Sequence, residues 1–197
     1  MGQTMPNVKP DAPPPRAYNP LAGFLSYLVP GLGQIYEGRV AKGLLFFVCI
    51  YSLFFYGMRL GSGTVTVDGT IYHVSGNVYL PDTADKNNPW GLQWRLATNL
   101  YNRPQFVGQF WVGIAAWPAL WQYYEERQGK QDHLFGDFER TPSDEALNAV
   151  QTEGDKRMEL GWVYTVIAGV LNIMVIYDAF AGPAFLAAND PTREGAV

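Results

Sequence analysis

The sequence predicts an all-α integral membrane protein of about four transmembrane or partly re-entrant helices, with a small extramembrane insertion that contains a β-hairpin. Three observations predict it. Gly43 to Met58 and Leu160 to Tyr177 carry no formal charge, and with their flanks each approaches the roughly 20 residues that cross about 30 Å of hydrocarbon at 1.5 Å per residue. Two further apolar stretches, Leu21 to Tyr36 and Phe106 to Tyr124, are shorter or interrupted by Gly, Pro and Gln. Charged residues make up 16% of the chain, against about 25% in an ordinary soluble domain. The near-neutral mean hydropathy of -0.08 arises because polar connections dilute the apolar blocks.

Residues 1–18 read as a flexible Pro-rich tail, MGQTMPNVKPDAPPPRAY, in which no apolar core follows a basic region, so no secretory signal is expected. Gln3-Thr4-Met5-Pro6 also lacks the hydroxyl residue of a myristoylation site. A glycine-turn membrane helix hairpin follows over 19–60. Asn19 is placed to cap its first helix and Pro20 to fill the first turn, where a missing N–H is harmless. Because Leu21 to Tyr36 is short and contains Pro30, Gly31 and Gly33, it is a short span or a re-entrant piece. Pro30 has no donor for the Ser26 carbonyl, so a kink is expected there. A tight linker near Glu37 to Val40 leads into the second apolar block.

Residues 61–105 form a polar extramembrane region. Thr64-Val65-Thr66-Val67 and Thr70-Ile71-Tyr72-His73-Val74 flank Asp68-Gly69, the signature of a two-residue hairpin turn. Asn87-Asn88-Pro89 marks a turn before an amphipathic stretch from Trp90 to Leu96, where Trp90, Trp94 and Tyr101 suit an interface. A third membrane helix is expected over 106–124. The charge-dense stretch 125–159 is a water-exposed loop, with a helix started by Thr141 as cap and Pro142 at its first position. The fourth membrane helix covers 160–182 and a C-terminal tail 183–197. Four spans would put both tails and 61–105 on one face, with 37–42 and 125–159 on the other. Lys and Arg are nearly balanced between the two, and the latter face is taken as cytoplasmic.

FLSYLVPGLGQIYEGRVAKG, residues 24–43, is the most distinctive stretch. It is no phosphate loop: Gly38 to Leu44 supplies neither the Gly-Lys order nor the hydroxyl that follows it. Gly31-Leu32-Gly33 lacks the third glycine of a dinucleotide fingerprint. In a membrane hairpin, by contrast, Gly31, Gly33, Gly38 and Gly43 let backbones approach after the Pro30 kink. Gln34 then satisfies a freed backbone group or cross-links helices, and Tyr36 sits near the interface. These residues resemble the Pro-Gly-Leu-Gly, Gln or His, then Tyr-x-Gly-x-x-x-x-Gly pattern of the TM2-domain group of small bacterial membrane proteins. That resemblance covers about residues 19–60 and implies two helices joined by a short cytoplasmic turn. The Asp-Arg-Phe turn of that group is replaced here by Tyr36-Glu37-Gly38-Arg39. The wider arrangement, ending in Asn172 and Ile176-Tyr177-Asp178, is similar to an uncharacterised polytopic family of planctomycete-like bacteria, which implies no known catalytic activity.

Among residues with chemical potential, Asp178 follows a long uncharged run. An ionised carboxylate in a bilayer is expensive unless paired or near water. It reads as a helix-end carboxylate at the membrane surface, as the partner of a basic residue such as Arg59 or Arg103, or as a proton or cation site. Asn172 lies about 9 Å along the helix and roughly 240° around it, so the two do not converge; interhelical hydrogen bonding is its expected role. His73 and His133 lie in separate loops and imply no metal site. The loop carboxylates are expected to be solvated. Cys49 is expected to be a small buried hydrophobe, and no serine lies in a nucleophile elbow. A net charge of -4 with scattered basic residues argues against nucleic acid. No cofactor is implied. The expected function is that of a non-catalytic structural or interaction protein of the bacterial inner membrane, a subunit of an envelope complex. Its partners would be membrane lipids and a membrane protein complex or a second copy; the alternative is a small-solute or ion transporter.

Overall fold

The computed structural model describes residues 18–67, 69–74, 76–82, 91–129, 134–153 and 156–182. The Pro-rich tail up to residue 17, the tail from 183, the Asn87-Asn88-Pro89-Trp90 turn, Asp68 and His133 lie outside these residues. In chain order the elements are α1 (Pro20–Leu28), α2 (Leu32–Tyr36), α3 (Val40–Leu60), β1 (Gly63–Val67), β2 (Thr70–Val74), α4 (Gly91–Asn102) and α5 (Pro104–Gln109). Two short 3₁₀ turns, Phe110–Val112 and Ile114–Ala116, precede α6 (Trp117–Arg127), α7 (Asp144–Glu153) and α8 (Lys156–Ala181).

Two helices, α3 and the Glu159–Ala181 part of α8, are long and apolar enough to cross a membrane. They pack antiparallel: Lys42 at the start of α3 reaches Asp178 near the end of α8, while Gly57 meets Gly161 at the opposite end. A Cβ on Gly161 would stand 2.4 Å from the Gly61 nitrogen, so a side chain there would push the backbones apart.

The first element does not run alongside α3 from end to end. Asn19 caps α1 as expected, its Oδ1 accepting the Ala22 N–H at 3.1 Å, and its own N–H donates to the Phe180 carbonyl at 2.9 Å. So α1 starts at the Asp178 end of α8. It stops at Leu28, and Gly31 takes a left-handed conformation at φ 84°. There α2 doubles back along α1: the Gly33 N–H donates to Ser26 Oγ at 3.1 Å. In an unbroken helix Ala22 and Gly33 would be about 16 Å apart, yet a Cβ on Gly33 would lie 2.0 Å from the Ala22 carbonyl oxygen. The expected Pro30 kink is therefore a full reversal, and both feet of this hairpin stand at one end of α8.

A second break replaces the continuous helix expected over 106–124. Its start is anchored at the Leu60 end, where Arg103 Nη2 donates to the Asn77 carbonyl at 2.8 Å and Asn77 Nδ2 donates to the Gly57 carbonyl at 3.3 Å. Gly113, at φ 87° and ψ -135°, interrupts the helix, and Pro118 helps start α6. The tip of this element meets the tip of the first: a Cβ on Gly113 would lie 1.9 Å from the Tyr27 carbonyl oxygen. α6 then returns toward the end it came from, since the Asn99 Nδ2 that donates to Tyr123 Oη at 3.1 Å also donates to Asp82.

A polar cap covers the Leu60 end. The hairpin has the expected two-residue turn, with Val67 opposite Thr70 and Gly69 at φ 81°. α7 packs on both β1 and β2. Its cap is Ser143, whose Oγ accepts the Ala146 N–H, while Thr141 reaches the Leu80 carbonyl instead. This packing corrects the expected arrangement of faces. The described parts of 61–105 and 125–159 share one end, and Glu37 to Lys42 lies at the other with residue 19 and Asp178. Because two segments reverse, among the described residues the chain passes along the axis only in α3 and α8. Beneath the cap, Ile50, Phe54, Val78, Leu80, Phe106 and Ala168 join one apolar core.

Candidate functional site

Three polar clusters lie at successive levels along α8, and they contain most of the residues singled out in the sequence. At the foot, Gly38 makes the turn from α2 to α3 at φ 80° with open space around it. Here glycine is needed for conformation, whereas Gly43 is needed for room and Gly31, itself left-handed, for both. A Cβ on Gly31 would stand 2.0 Å from the Gly43 carbonyl oxygen, and one on Gly43 2.5 Å from that of Gly31. The turn swings Arg39 toward α8. Its Nη1 donates to Asp178 Oδ2 at 2.8 Å, its Nη2 pairs with Glu37, and Lys42 Nζ donates to Asp178 Oδ1 at 2.7 Å.

The Asp178 partners are thus Arg39 and Lys42, not Arg59 or Arg103. The antiparallel packing of α3 and α8 puts the start of α3 beside Asp178 and leaves Arg59 and Arg103 at the far end. Burial opposes the charge of Arg39, but the hydrogen bonds and proximity of Glu37 and Asp178 outweigh it and hold its pKa above the usual value. Gln34 completes the foot. Fully buried, it donates through Nε2 to the Val175 carbonyl at 2.8 Å and to Asp178 at 3.1 Å, and its Oε1 accepts Ser26 Oγ at 3.0 Å. It cross-links three helices. Tyr36 stands away from this network and is exposed. Both Asp178 oxygens are engaged by fixed donors, an arrangement suited to clasping the hairpin to α8.

Halfway up, Asn172 is fully buried and its Nδ2 donates to two carbonyls, Ser26 at 3.2 Å and Trp111 at 2.8 Å. Those carbonyls belong to the two broken elements, so one amide ties both tips to α8. Since both neighbours are acceptors, the amide orientation is fixed by chemistry. Asn172 and Asp178 stay in separate clusters, as helical spacing predicts.

The third cluster was not singled out from the sequence. Gln109, fully buried, donates to Thr165 Oγ1 at 2.8 Å and to the Asn77 carbonyl at 3.3 Å. Beside it, the Arg103 guanidinium lies 3.3 Å from the Tyr79 ring centroid, and burial lowers its pKa despite the neighbouring Tyr79. A Gln inside an otherwise apolar run was the available signal for Gln109. Glu139 gave none, because it stands in a charge-dense stretch. Contrary to the solvation expected for the loop carboxylates, it is only 1% exposed and sits at φ 56°. Its Oε2 accepts the Ala119 N–H at 3.0 Å in the first turn of α6, and burial pushes its pKa up to about 9. Gln122 holds the same turn by donating to the Gly136 and Phe138 carbonyls.

Cys49 lies exposed on the outside of α3 rather than buried. His73 is an exposed strand residue 3.4 Å from Thr64 Oγ1. Among the described residues, no three His, Cys, Asp or Glu side chains come together as a metal site. No curated protein and no solved structure matches the chain. Residues 21–192, which include both broken elements, both long helices and the cap, match the Family of unknown function (DUF6677), and the chain belongs to that family.

Proposed function

We propose that this chain is an integral protein of the bacterial inner membrane that acts through structure or interaction, as a subunit of an envelope complex or as a homo-oligomer. In this reading α3 and α8 span the bilayer, and the two broken elements enter it from opposite faces. Only 22% and 33% of the most apolar windows of α3 and α8 are buried, whereas the core helix of a soluble protein would be mostly covered. Leu44, Leu45, Val48, Ile167, Val170 and Met174 form outward apolar surfaces on the pair, as lipid contact requires. The TM2-like turn then becomes the outer foot of a re-entrant hairpin.

The observation that carries the structural role is the use of the buried amides. Gln34, Gln109 and Asn172 each donate to a backbone carbonyl of another part of the chain. They brace irregular backbone, as non-helical segments at membrane depth demand. A transporter is the second reading, favoured by one feature: two discontinuous helices meet at mid-depth. The packing weighs against it, because α1 and α5 both lie on α8 while α3 takes α2; an inverted repeat would distribute them evenly between the two long helices.

The test is gentle native purification from membranes and mass spectrometry of co-purifying chains, with an unrelated membrane protein as control. A stoichiometric partner or a stable homo-oligomer is expected. A monodisperse monomer that supports solute flux in liposomes would overturn the structural reading. Single cysteines at Tyr18, Gly38 and Ser62 in a Cys49→Ser background test the topology. Labelling of Tyr18→Cys and Gly38→Cys from one side, and of Ser62→Cys from the other, is expected.

A further inference from the structure

Where the capped ends of α3 and α8 meet the polar cap, a cavity of about 220 Å³ opens between Arg103, Asn77, Tyr79, Gln105, Glu159 and Trp162. Its inner wall is cationic. Arg103 presents one guanidinium face to Tyr79 and one Nη2 donor to the Asn77 carbonyl, but its Nε is buried without a hydrogen-bond partner. No carboxylate among the described residues pairs with it. A partly buried guanidinium without a carboxylate partner is costly, and its fork of donors suits a phosphate. The cavity also holds two acceptors, one buried and one exposed. Asn77 Oδ1 is buried and unsatisfied, and Glu159, in the first turn of α8, forms no ion pair among the described residues.

We infer that this cavity binds a phosphodiester carrying a primary ammonium, the headgroup chemistry of phosphatidylethanolamine, with the phosphate on Arg103 and the ammonium between Glu159 and Asn77 Oδ1. The volume lies below the roughly 300–1,000 Å³ of pockets that enclose drug-sized ligands, and so suits a headgroup rather than a whole lipid. Trp162, 41% exposed, lies at the rim where the apolar part of α8 begins. Acyl chains would leave the cavity there and run down the outside of the helix. A quaternary ammonium has no N–H for the two acceptors, and a headgroup without a cation leaves Glu159 facing an anion. The cavity therefore discriminates by hydrogen-bond donors as well as by charge. This inference rests on the membrane reading above.

The full-length chain in detergent is offered an equimolar mixture of short-chain phosphatidylethanolamine, phosphatidylcholine and phosphatidylglycerol, and retained lipid is measured by native mass spectrometry. Phosphatidylethanolamine should be retained about tenfold over each of the others, the value of one well-made charged hydrogen bond. Arg103→Gln and Glu159→Gln should each abolish that preference, while Lys42→Gln at the opposite end should leave it unchanged. Arg103→Lys, which keeps the charge but loses the fork, should retain part of it and serves where Arg103→Gln does not fold by thermal melting. Equal retention of phosphatidylglycerol, or a preference unaffected by Glu159→Gln, overturns the inference. Free phosphoethanolamine that binds and is not displaced by the lipid overturns the assignment to a lipid. Alkaline carbonate extraction separates the two failures: release from membranes defeats the membrane reading, whereas a retained protein without lipid preference defeats only this one.

Discussion

The two broken elements solve one problem in different ways. Each brings a helix to mid-depth, reverses, and leaves by the end it entered. The first, α1 with α2, closes upon itself. Its reversal takes three residues at Val29-Pro30-Gly31, its arms touch through Gly33, and its foot is clasped by Arg39 and Lys42 on Asp178. The second, from α5 to α6, stays open. It passes through two 3₁₀ turns about Gly113, leans on the first tip, and is held from outside by Asn172, Thr165 and Glu139. A hairpin built from contacts near in sequence is announced by a dense local motif. An element braced by distant residues carries little local signature.

The largest test strikes the places where backbones touch. Gly33→Leu and Gly113→Leu each force a side chain against a carbonyl oxygen, at 2.0 Å and 1.9 Å from the new Cβ. Each should cost about 3 kcal/mol or more, read as loss of accumulation in membranes and of a melting transition in detergent. For Gly33, crosslinking between the arms of the first hairpin should fall as well; for Gly113, crosslinking from the second tip to Tyr27 should fall while the first hairpin survives. Unchanged crosslinking in either variant would show that the close backbone approach at that glycine is dispensable.

Glu139 separates the externally braced element from the self-closed one by its pH dependence. Burial raises its pKa from 4.5 to about 9. Between those values the folded state holds a proton that the unfolded state has released, so stability falls as pH rises from about 4.5 to about 9 and is level above. Glu139→Gln keeps an acceptor for the Ala119 N–H and removes the titration. It should flatten this slope and stabilise the protein by about 3 kcal/mol at pH 7, measured by melting across pH.

The clasp at the first foot should matter less, because it is partly wet. Asp178→Asn should cost about 1–2 kcal/mol and loosen the hairpin foot without preventing insertion; intact folding, unchanged partner recovery and unchanged protection of residues 34–42 from hydrogen exchange would remove the clasp from the account. Smallest is Gly38→Ala. With φ 80° and open space around it, only the left-handed conformation is penalised, by about 1 kcal/mol. A loss as large as that of Gly33→Leu would show that the turn needs room after all.

Much of the first element was legible in residues 19–43. Asn19 and Pro20 fixed the helix start, Pro30 and Gly31 the break, and Gln34 the cross-link, because caps, missing donors and left-handed turns are properties of a few neighbouring residues. The uncharged runs marked α3 and α8, and Asp68-Gly69 marked the hairpin turn. The rest depended on partners far along the chain. Phe106 to Tyr124 is apolar enough to resemble one helix, and only the contact of Gly113 with Tyr27 and the cap by Glu139 explain its division. The end on which each polar region lies also escaped local reading, since one reversal changes the parity of every later crossing.

The lengths of α3 and α8, the glycine turn and the β-hairpin register are written in the chain itself, as is the cost of placing Asp178 after a long uncharged run. Each follows from covalent chemistry or local hydrogen bonding. That Asp178 pairs with Arg39 and Lys42, that two segments turn back to meet at Asn172, and that Arg103 and Glu159 line one cavity follow from long-range packing. Those choices come from the antiparallel packing of α3 and α8 and the burial of amides and charges that must find donors or acceptors wherever the fold places them.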